Sequence, residues 1–125
     1  MQDHHRLQVY QVARNLVLQV YAVASELPVS ERYELGRQLR RAAVSVGSNI
    51  AEGSGRTTRR DLCSFLGMAL GSTRELEFQL DLCERMEMAT GESVRQALET
   101  TKRVQQMLTR LILQIRARDR ESSDR

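Results

Sequence analysis

Apolar residues recur along the chain at alternating steps of three and four residues, the spacing of one face of an α-helix. We call each such row of apolar residues a seam. The first seam predicts a helix over about 7–27, which ends before Pro28 because the residue before a proline disfavours helical backbone. Its members are Val9, Ala13, Leu16, Val20, Val23 and Leu27.

A second helix is predicted over about 30–53. Ser30 is a suitable N-cap, Glu31 places a negative charge in the first turn, and Gly53-Ser54-Gly55 would end the helix. The face that we expect in the core holds Leu35, Leu39, Ala42, Ala43, Val46, Ile50 and Gly53.

The third and fourth predicted helices carry the longest seams. Thr58 followed by Asp61 resembles a capping box and predicts a helix over about 58–89. Its seam is Leu62, Leu66, Ala69, Thr73, Leu76, Leu80 and Cys83. A helix over about 92–117 follows, with a seam of Val94, Ala97, Thr101, Val104, Leu108, Leu111 and Ile115. Residues 118–125 are charged or polar, so we expect a frayed or disordered tail there.

Four amphipathic helices with short connections predict an all-α, up-down-up-down four-helix bundle that forms one domain over 1–117. The 125 residues contain only 4% aromatic residues, which leaves little for a sheet. The longest uncharged run near the N-terminus, 15–25, is too short to span a bilayer, and no signal-peptide pattern occurs. We therefore expect a cytoplasmic chain with no membrane association.

The second and third predicted helices carry small or apolar residues on a second face, which a monomeric bundle does not need. An interior glycine costs about 0.5–1 kcal/mol relative to alanine, so close packing should compensate for it. A subunit interface is the favoured explanation, and close packing within one bundle is the alternative. The small or apolar residues concerned include Tyr33, Gly36, Gly47, Gly67, Gly71 and Phe78, and the charged Glu75 lies on the same face.

A polar stripe on the second predicted helix is either a site or a structural network. It includes Ser45, Asn49, Glu52 and Arg56. An arginine four residues after a glutamate is a ready intrahelical pair, and no proton-transfer group with a suitable pKa lies near in the sequence. The structural interpretation is therefore favoured.

Charge is segregated along the chain, although the net charge is only +3. Residues 32–60 carry seven basic and two acidic side chains, and residues 61–99 carry three basic and eight acidic ones. The candidate nucleic-acid-binding residues are Arg37, Arg40, Arg41, Arg56, Arg59 and Arg60. Clustered arginines suit phosphate, but they also suit carboxylates. The alternative partners are Glu75, Glu77, Asp81, Glu84 and Glu87 of the third predicted helix.

The chain lacks the usual residues of catalytic and metal sites. Histidine occurs only at His4 and His5, and there is no Cys-x-x-Cys, phosphate-binding glycine loop or nucleophile elbow. Cys63 and Cys83 are too far apart on one predicted helix to form a disulfide. We therefore expect no enzyme activity, no metal and no cofactor.

Two stretches carry a resemblance to a known family: QLRRAAVSVGSNIAEGSGR over 38–56 and FLGMALGSTRELEFQLDL over 65–82. They resemble the four-helix-bundle proteins encoded within intervening sequences of bacterial 23S ribosomal RNA genes. The resemblance also covers LQVYQVARNLVLQVY and LPVSERYEL, and it departs at Tyr10, where the family commonly has tryptophan, and at Gly47, where it commonly has proline. The matching motif positions are Arg40, Arg41, Ser45, Ser48, Asn49, Glu52, Gly53 and Arg56.

The resemblance implies a ring-like homopentamer. A related branch of the family serves as accessory protein to reverse transcriptases in diversity-generating retroelements, where a basic surface binds nucleic acid. We therefore expect a non-enzymatic homo-oligomeric scaffold that binds RNA, DNA or a nucleic-acid-processing protein such as a reverse transcriptase. The alternative is a structural or protein-interaction module whose arginines pair with its own acidic helix.

Overall fold

A computed structural model describes residues 4–123, and side chains over 5–121. Within this range the chain forms four long helices, one single-turn helix and no strand, which confirms the all-α fold class. The helices are α1 (His4–Glu26), α2 (Val29–Arg32), α3 (Leu35–Ser54), α4 (Arg59–Arg85) and α5 (Gly91–Ser123). No helix in the described range has both the length and the apolar character needed to cross a membrane.

Each long helix packs against two others. α1 contacts α3 and α5, and α4 contacts the same two helices. The end of α1 is joined to the start of α5 by the Glu26 carboxylate, which accepts a hydrogen bond from the Thr90 backbone N–H at 2.8 Å. The start of α4 is joined to the last turns of α5 by an ion pair between Arg59 and Asp119 at 3.4 Å.

The core consists of the predicted seams. Burial of a large aliphatic side chain contributes about 1.5–3 kcal/mol. The largest buried side chains include Leu16, Leu27, Leu39, Ile50, Leu66, Leu76, Leu80 and Leu108. Two threonines lie in the same seams, and their hydroxyl groups form hydrogen bonds within their own helices. Thr73 donates to the Leu70 carbonyl at 2.6 Å, and Thr101 donates to the Ala97 carbonyl at 2.7 Å.

The second predicted helix is interrupted. The chain forms α2 over Val29–Arg32, turns at Tyr33 and Glu34, and begins α3 at Leu35. Pro28 precedes the first helical residue and no side chain caps this turn, so the prediction of Ser30 as N-cap is wrong. The break lays α2 against the first turn of α3, where Gly36 is buried. A Cβ at Gly36 would lie 3.4 Å from the Glu31 carbonyl oxygen.

The bounds of α4 are set by its two caps. At the start, the Thr58 hydroxyl accepts a hydrogen bond from the Asp61 backbone N–H at 3.1 Å, as the capping-box pattern predicts. The helix ends at Arg85, earlier than predicted, because Glu87 adopts a left-handed φ of 52°. The backbone N–H of Met88 then donates to the Cys83 carbonyl at 3.0 Å, a pattern typical of a helix C-terminus.

α5 extends past the predicted end at 117 and continues to Ser123. Residues 118–123, where we expected a frayed or disordered tail, are therefore helical, and residues 124–125 lie outside the described range. The pair between Arg59 and Asp119 holds one of these added turns against α4. A local apolar pattern does not report such a polar contact between distant parts of the chain.

Candidate nucleic-acid interface

The six candidate arginines form two groups at opposite ends of α3. Arg37, Arg40 and Arg41 lie near its beginning and are called the first basic group. Arg56, Arg59 and Arg60 lie between its end and the first turn of α4 and are called the second basic group. Since a helix rises 1.5 Å per residue, about 22 Å separates Arg41 from Arg56 along the axis. The fold therefore does not bring the six arginines together into one patch.

Two arginines of the first basic group face solvent. Arg37 and Arg41 are exposed one helical turn apart, and within the described part of the chain neither forms an ion pair. Arg40 is half-buried, and its Nη2 donates to the Arg32 carbonyl at 3.5 Å. Arg40 thus helps to hold α2 against α3, whereas Arg37 and Arg41 present free charge.

The second basic group is partly paired within the chain. Arg56 Nη2 lies 3.0 Å from Glu52 Oε1, and the Arg56 guanidinium stacks 4.7 Å from the centre of the Phe65 ring. Arg59 pairs with Asp119. All of these groups remain substantially exposed except Phe65, so solvent weakens the ion pairs. Arg60 is exposed and has no ion pair among the described residues.

The acidic residues of α4 interact mainly with groups other than these arginines. Glu75 accepts a hydrogen bond from Gln79 at 3.2 Å, Glu77 from Gln105 at 3.0 Å, and Asp81 pairs with Arg85 at 3.0 Å. Among the described side chains, the first basic group, Arg56 and Arg60 form no ion pair with the acidic residues of α4. Pairing of these arginines with α4 therefore does not occur within one chain.

A concave site of about 290 Å³ lies beside the second basic group, at one end of the bundle. We call it the basic cleft. It is lined by Arg6, Ser54, Arg56, Thr57, Thr58, Arg59, Leu62, Leu111, Ile115 and Arg118. This lining contains four arginines and no acidic side chain. Arg6 and Arg118 were not among the predicted residues, because they lie far from the arginine-rich segment in sequence and only the packing of α1 and α5 brings them to it.

The predicted polar stripe connects α3 to α4 within the chain. The Ser45 and Ser72 hydroxyl oxygens are 2.9 Å apart, and Asn49 Nδ2 donates to both the carbonyl and the hydroxyl oxygen of Ser45, at 2.9 and 3.1 Å. Glu52 lies further along the stripe and pairs with Arg56. Ser72 was missed from the sequence, because nothing in its local pattern distinguishes it from other serines.

The glycines of the second faces have two kinds of surroundings. Gly36 is buried against Leu27 and Arg40 within the chain, so its small size is explained without a subunit interface. At Gly47, Gly67 and Gly71, in contrast, an added Cβ would meet no described atom within 4 Å. Phe78 of α4 is also exposed, by 68%, and Tyr33, which lies in the turn between α2 and α3 and not on α3, is exposed by 70%. The outer faces of α3 and α4 are therefore uncovered in the single chain.

The chain matches the sequence profile of the 23S rRNA-intervening sequence proteins over residues 5–110. It belongs to this family. The matched range contains both basic groups and the polar stripe but ends before Arg118, so one wall of the basic cleft lies outside the part that defines family membership. No protein among the curated sequences is significantly similar to the chain.

A solved structure with the same fold is a protein of unknown function from the S23 ribosomal protein family of Bacteroides thetaiotaomicron. The two chains superpose with a TM-score of 0.79 and share 22% sequence identity. The match covers 86% of this family member and 97% of the other chain. At this identity the comparison supports the fold and does not transfer a function.

Proposed function

We propose that this family member is a non-enzymatic helical scaffold that binds nucleic acid through its arginines. The observation that carries the proposal is the exposure of Arg37, Arg41 and Arg60, whose charges are not paired with the acidic residues of α4 within the chain. Guanidinium groups make bidentate hydrogen bonds to phosphate. Neutralising phosphates also releases counterions, which supplies affinity without base recognition.

The proposed scaffold is an up-down-up-down bundle that assembles into a homo-oligomer. The contacts between Glu26 and Thr90 and between Arg59 and Asp119, each joining a helix end to a helix beginning in space, support this topology. The uncovered glycines of α3 and α4 support the assembly, since small residues let another backbone approach closely. The family resemblance favours a pentameric ring, which would repeat the exposed arginines five times.

The thiols give no support to a catalytic role. Burial raises the pKa of Cys83 to about 11 and also raises the pKa of Cys63. The nucleophilic form of cysteine is the thiolate, which such a shift disfavours at neutral pH. The described residues also contain no group of three or more His, Cys, Asp or Glu side chains placed to hold a metal ion.

A second candidate is a protein-interaction module whose arginines pair with α4 of a neighbouring copy. Glu84 and Glu87 favour it, because both are exposed and neither forms an ion pair within the described chain. Under this alternative the arginines are neutralised in the assembled protein. The assembly would then show little affinity for phosphate.

Titration of the purified protein with structured RNA and with duplex DNA at several salt concentrations separates the two candidates. Phosphate binding requires that the logarithm of the association constant fall linearly with the logarithm of the salt concentration. Absence of binding at low salt, or an affinity that salt does not change, would exclude nucleic-acid binding through the arginines. A nucleic-acid-processing protein, such as a reverse transcriptase, would then remain to be tested as the partner.

A further inference from the structure

We infer that the basic cleft is a site for one phosphorylated nucleotide of a single-stranded nucleic acid. The inference rests on the proposed function and adds which part of the nucleic acid is bound and where on the protein it binds. Four parts of the chain each contribute one arginine to the same concave site: α1, the connection after α3, the start of α4 and the last turns of α5. These arginines are Arg6, Arg56, Arg59 and Arg118.

The charge of the cleft suits an anion. The lining contains no acidic residue, and the carboxylates that pair with Arg56 and Arg59, which are Glu52 and Asp119, lie outside it. Both ion pairs are about half exposed to solvent, so a phosphate can compete for the same guanidinium groups. The cleft therefore offers several fork-shaped donors to one ligand.

Hydroxyl groups complete the polar part of the lining. The Thr58 oxygen accepts a hydrogen bond from the Asp61 backbone N–H, which leaves the Thr58 hydroxyl hydrogen available to donate to a ligand oxygen. Thr57 presents a second hydroxyl in the same connection between α3 and α4. Ser54 is less available, because its hydroxyl donates to the Ile50 carbonyl at 2.9 Å.

The remaining wall of the cleft is apolar and its volume is small. Leu62 of α4 and Leu111 and Ile115 of α5 form its floor, where all three are buried in the core and offer only the edges of their side chains to a base or a sugar. A volume of about 290 Å³ is at the lower end of ligand sites and suits one nucleotide unit. A duplex presents its phosphates on the outside of a stiff cylinder, so a nucleotide that enters such a cleft comes from a single-stranded end or loop.

The test compares a short single-stranded oligonucleotide with the matching duplex by fluorescence anisotropy at several salt concentrations. Arg118→Gln is the first variant, because Arg118 is exposed on the last turns of α5, and Arg6→Gln/Arg118→Gln is the second. The matched control is Arg95→Gln, which removes the same charge from an exposed position near the start of α5, about 34 Å from Arg118 along the helix.

We expect Arg118→Gln to weaken single-strand binding about tenfold and to lower its salt slope by about 0.7, with a smaller effect on the duplex. The double variant should bind the single strand still more weakly, and Arg95→Gln should bind it as the wild type does. If the double variant fails to fold, which circular dichroism shows, the single variant decides the question.

Each other outcome overturns a distinct claim. If the wild type binds nucleic acid and Arg118→Gln binds single strands equally well, the cleft is excluded as the binding site. The proposed function would then still stand. Equal losses for single strand and duplex would exclude recognition of a single-stranded nucleotide. A wild type that binds neither ligand at low salt would overturn the proposed function and the cleft site with it.

Discussion

Glu26 shows how a single side chain can join two helices. Its carboxylate accepts hydrogen bonds from the Thr90 backbone N–H, the Thr90 hydroxyl and the Ser93 hydroxyl, at 2.8 to 3.0 Å, and so caps the N-terminus of α5 from the end of α1. The hydrogen bond from the Thr90 backbone, assisted by those from the two hydroxyls, lowers the pKa of Glu26 below its ordinary value of 4.5.

The Glu26 cap predicts an acid-dependent loss of stability. A carboxyl group whose pKa is lowered in the folded state stabilises the fold above the ordinary pKa, and this contribution disappears as the pH falls through the folded-state pKa. The melting temperature of the wild type should therefore fall below about pH 5 more steeply than that of Glu26→Gln. Glu99→Gln, at an exposed position elsewhere on α5, is the control, and its melting temperature should fall with pH as that of the wild type does. Parallel profiles for wild type and Glu26→Gln would contradict the role of this cap.

At the scale of elements, the contact between the end of α3 and the start of α4 depends on Gly53. This glycine is buried, and an added Cβ would lie 2.9 Å from the Phe65 Cβ and 3.4 Å from the Leu62 carbonyl oxygen. Because both neighbours belong to the first turns of α4, they cannot move without shifting that helix. The position therefore couples the direction of α3 to that of α4.

Gly53→Ala is expected to destabilise the protein by about 1–3 kcal/mol, the usual cost of inserting a methyl group into a packed site. Chemical denaturation followed by circular dichroism measures it. Gly91→Ala adds the same methyl group where no described atom lies within 4 Å, and should leave the free energy of unfolding near the wild-type value or above it. A Gly53→Ala variant as stable as the Gly91→Ala variant would show that the two helices do not meet this closely.

The helices could be predicted from the sequence because their cause is local. The seams of α4 and α5 repeat at steps of three and four residues, and the seam residues Leu62 and Leu66 near the start of α4 are buried as their spacing predicts. The turn between α2 and α3 could not be predicted, since the packing of Gly36 beside Leu27 that accompanies it is a contact between different parts of the chain. Likewise, the last turns of α5 contact Arg59 of another helix through Asp119, and no local pattern reports that contact.

The candidate site was predictable only in part for the same reason. The arginines near α3 stand out as a charge cluster in sequence, whereas Arg6 and Arg118 join the basic cleft through the packing of the first and last long helices. Their separation in sequence hides the site from any local pattern. The division of the cluster into two groups also follows from the length of α3, which a count of charges does not reveal.

At the scale of the whole molecule, the uncovered face of α4 predicts self-association. Gly71→Leu should reduce the assembled mass measured by light scattering while the helix content stays unchanged, because the single chain has space for the new side chain. Gln106→Leu, which places leucine on an exposed position of α5, is the matched control and should assemble as the wild type does. A Gly71→Leu variant that keeps the wild-type mass, or a wild type that is monomeric at micromolar concentration, would exclude this face as an interface.

The proposed role of the exposed arginines is tested most directly by the salt dependence of nucleic-acid binding in the wild type and in Arg37→Gln/Arg41→Gln. Each phosphate contact contributes about 0.7 to the slope on single strands and about 0.9 on duplex DNA. We predict that the double variant binds structured RNA and duplex DNA more weakly at low salt and that its slope on duplex DNA is lower by up to about 1.8. Identical affinities and slopes for the two proteins would contradict binding through these arginines.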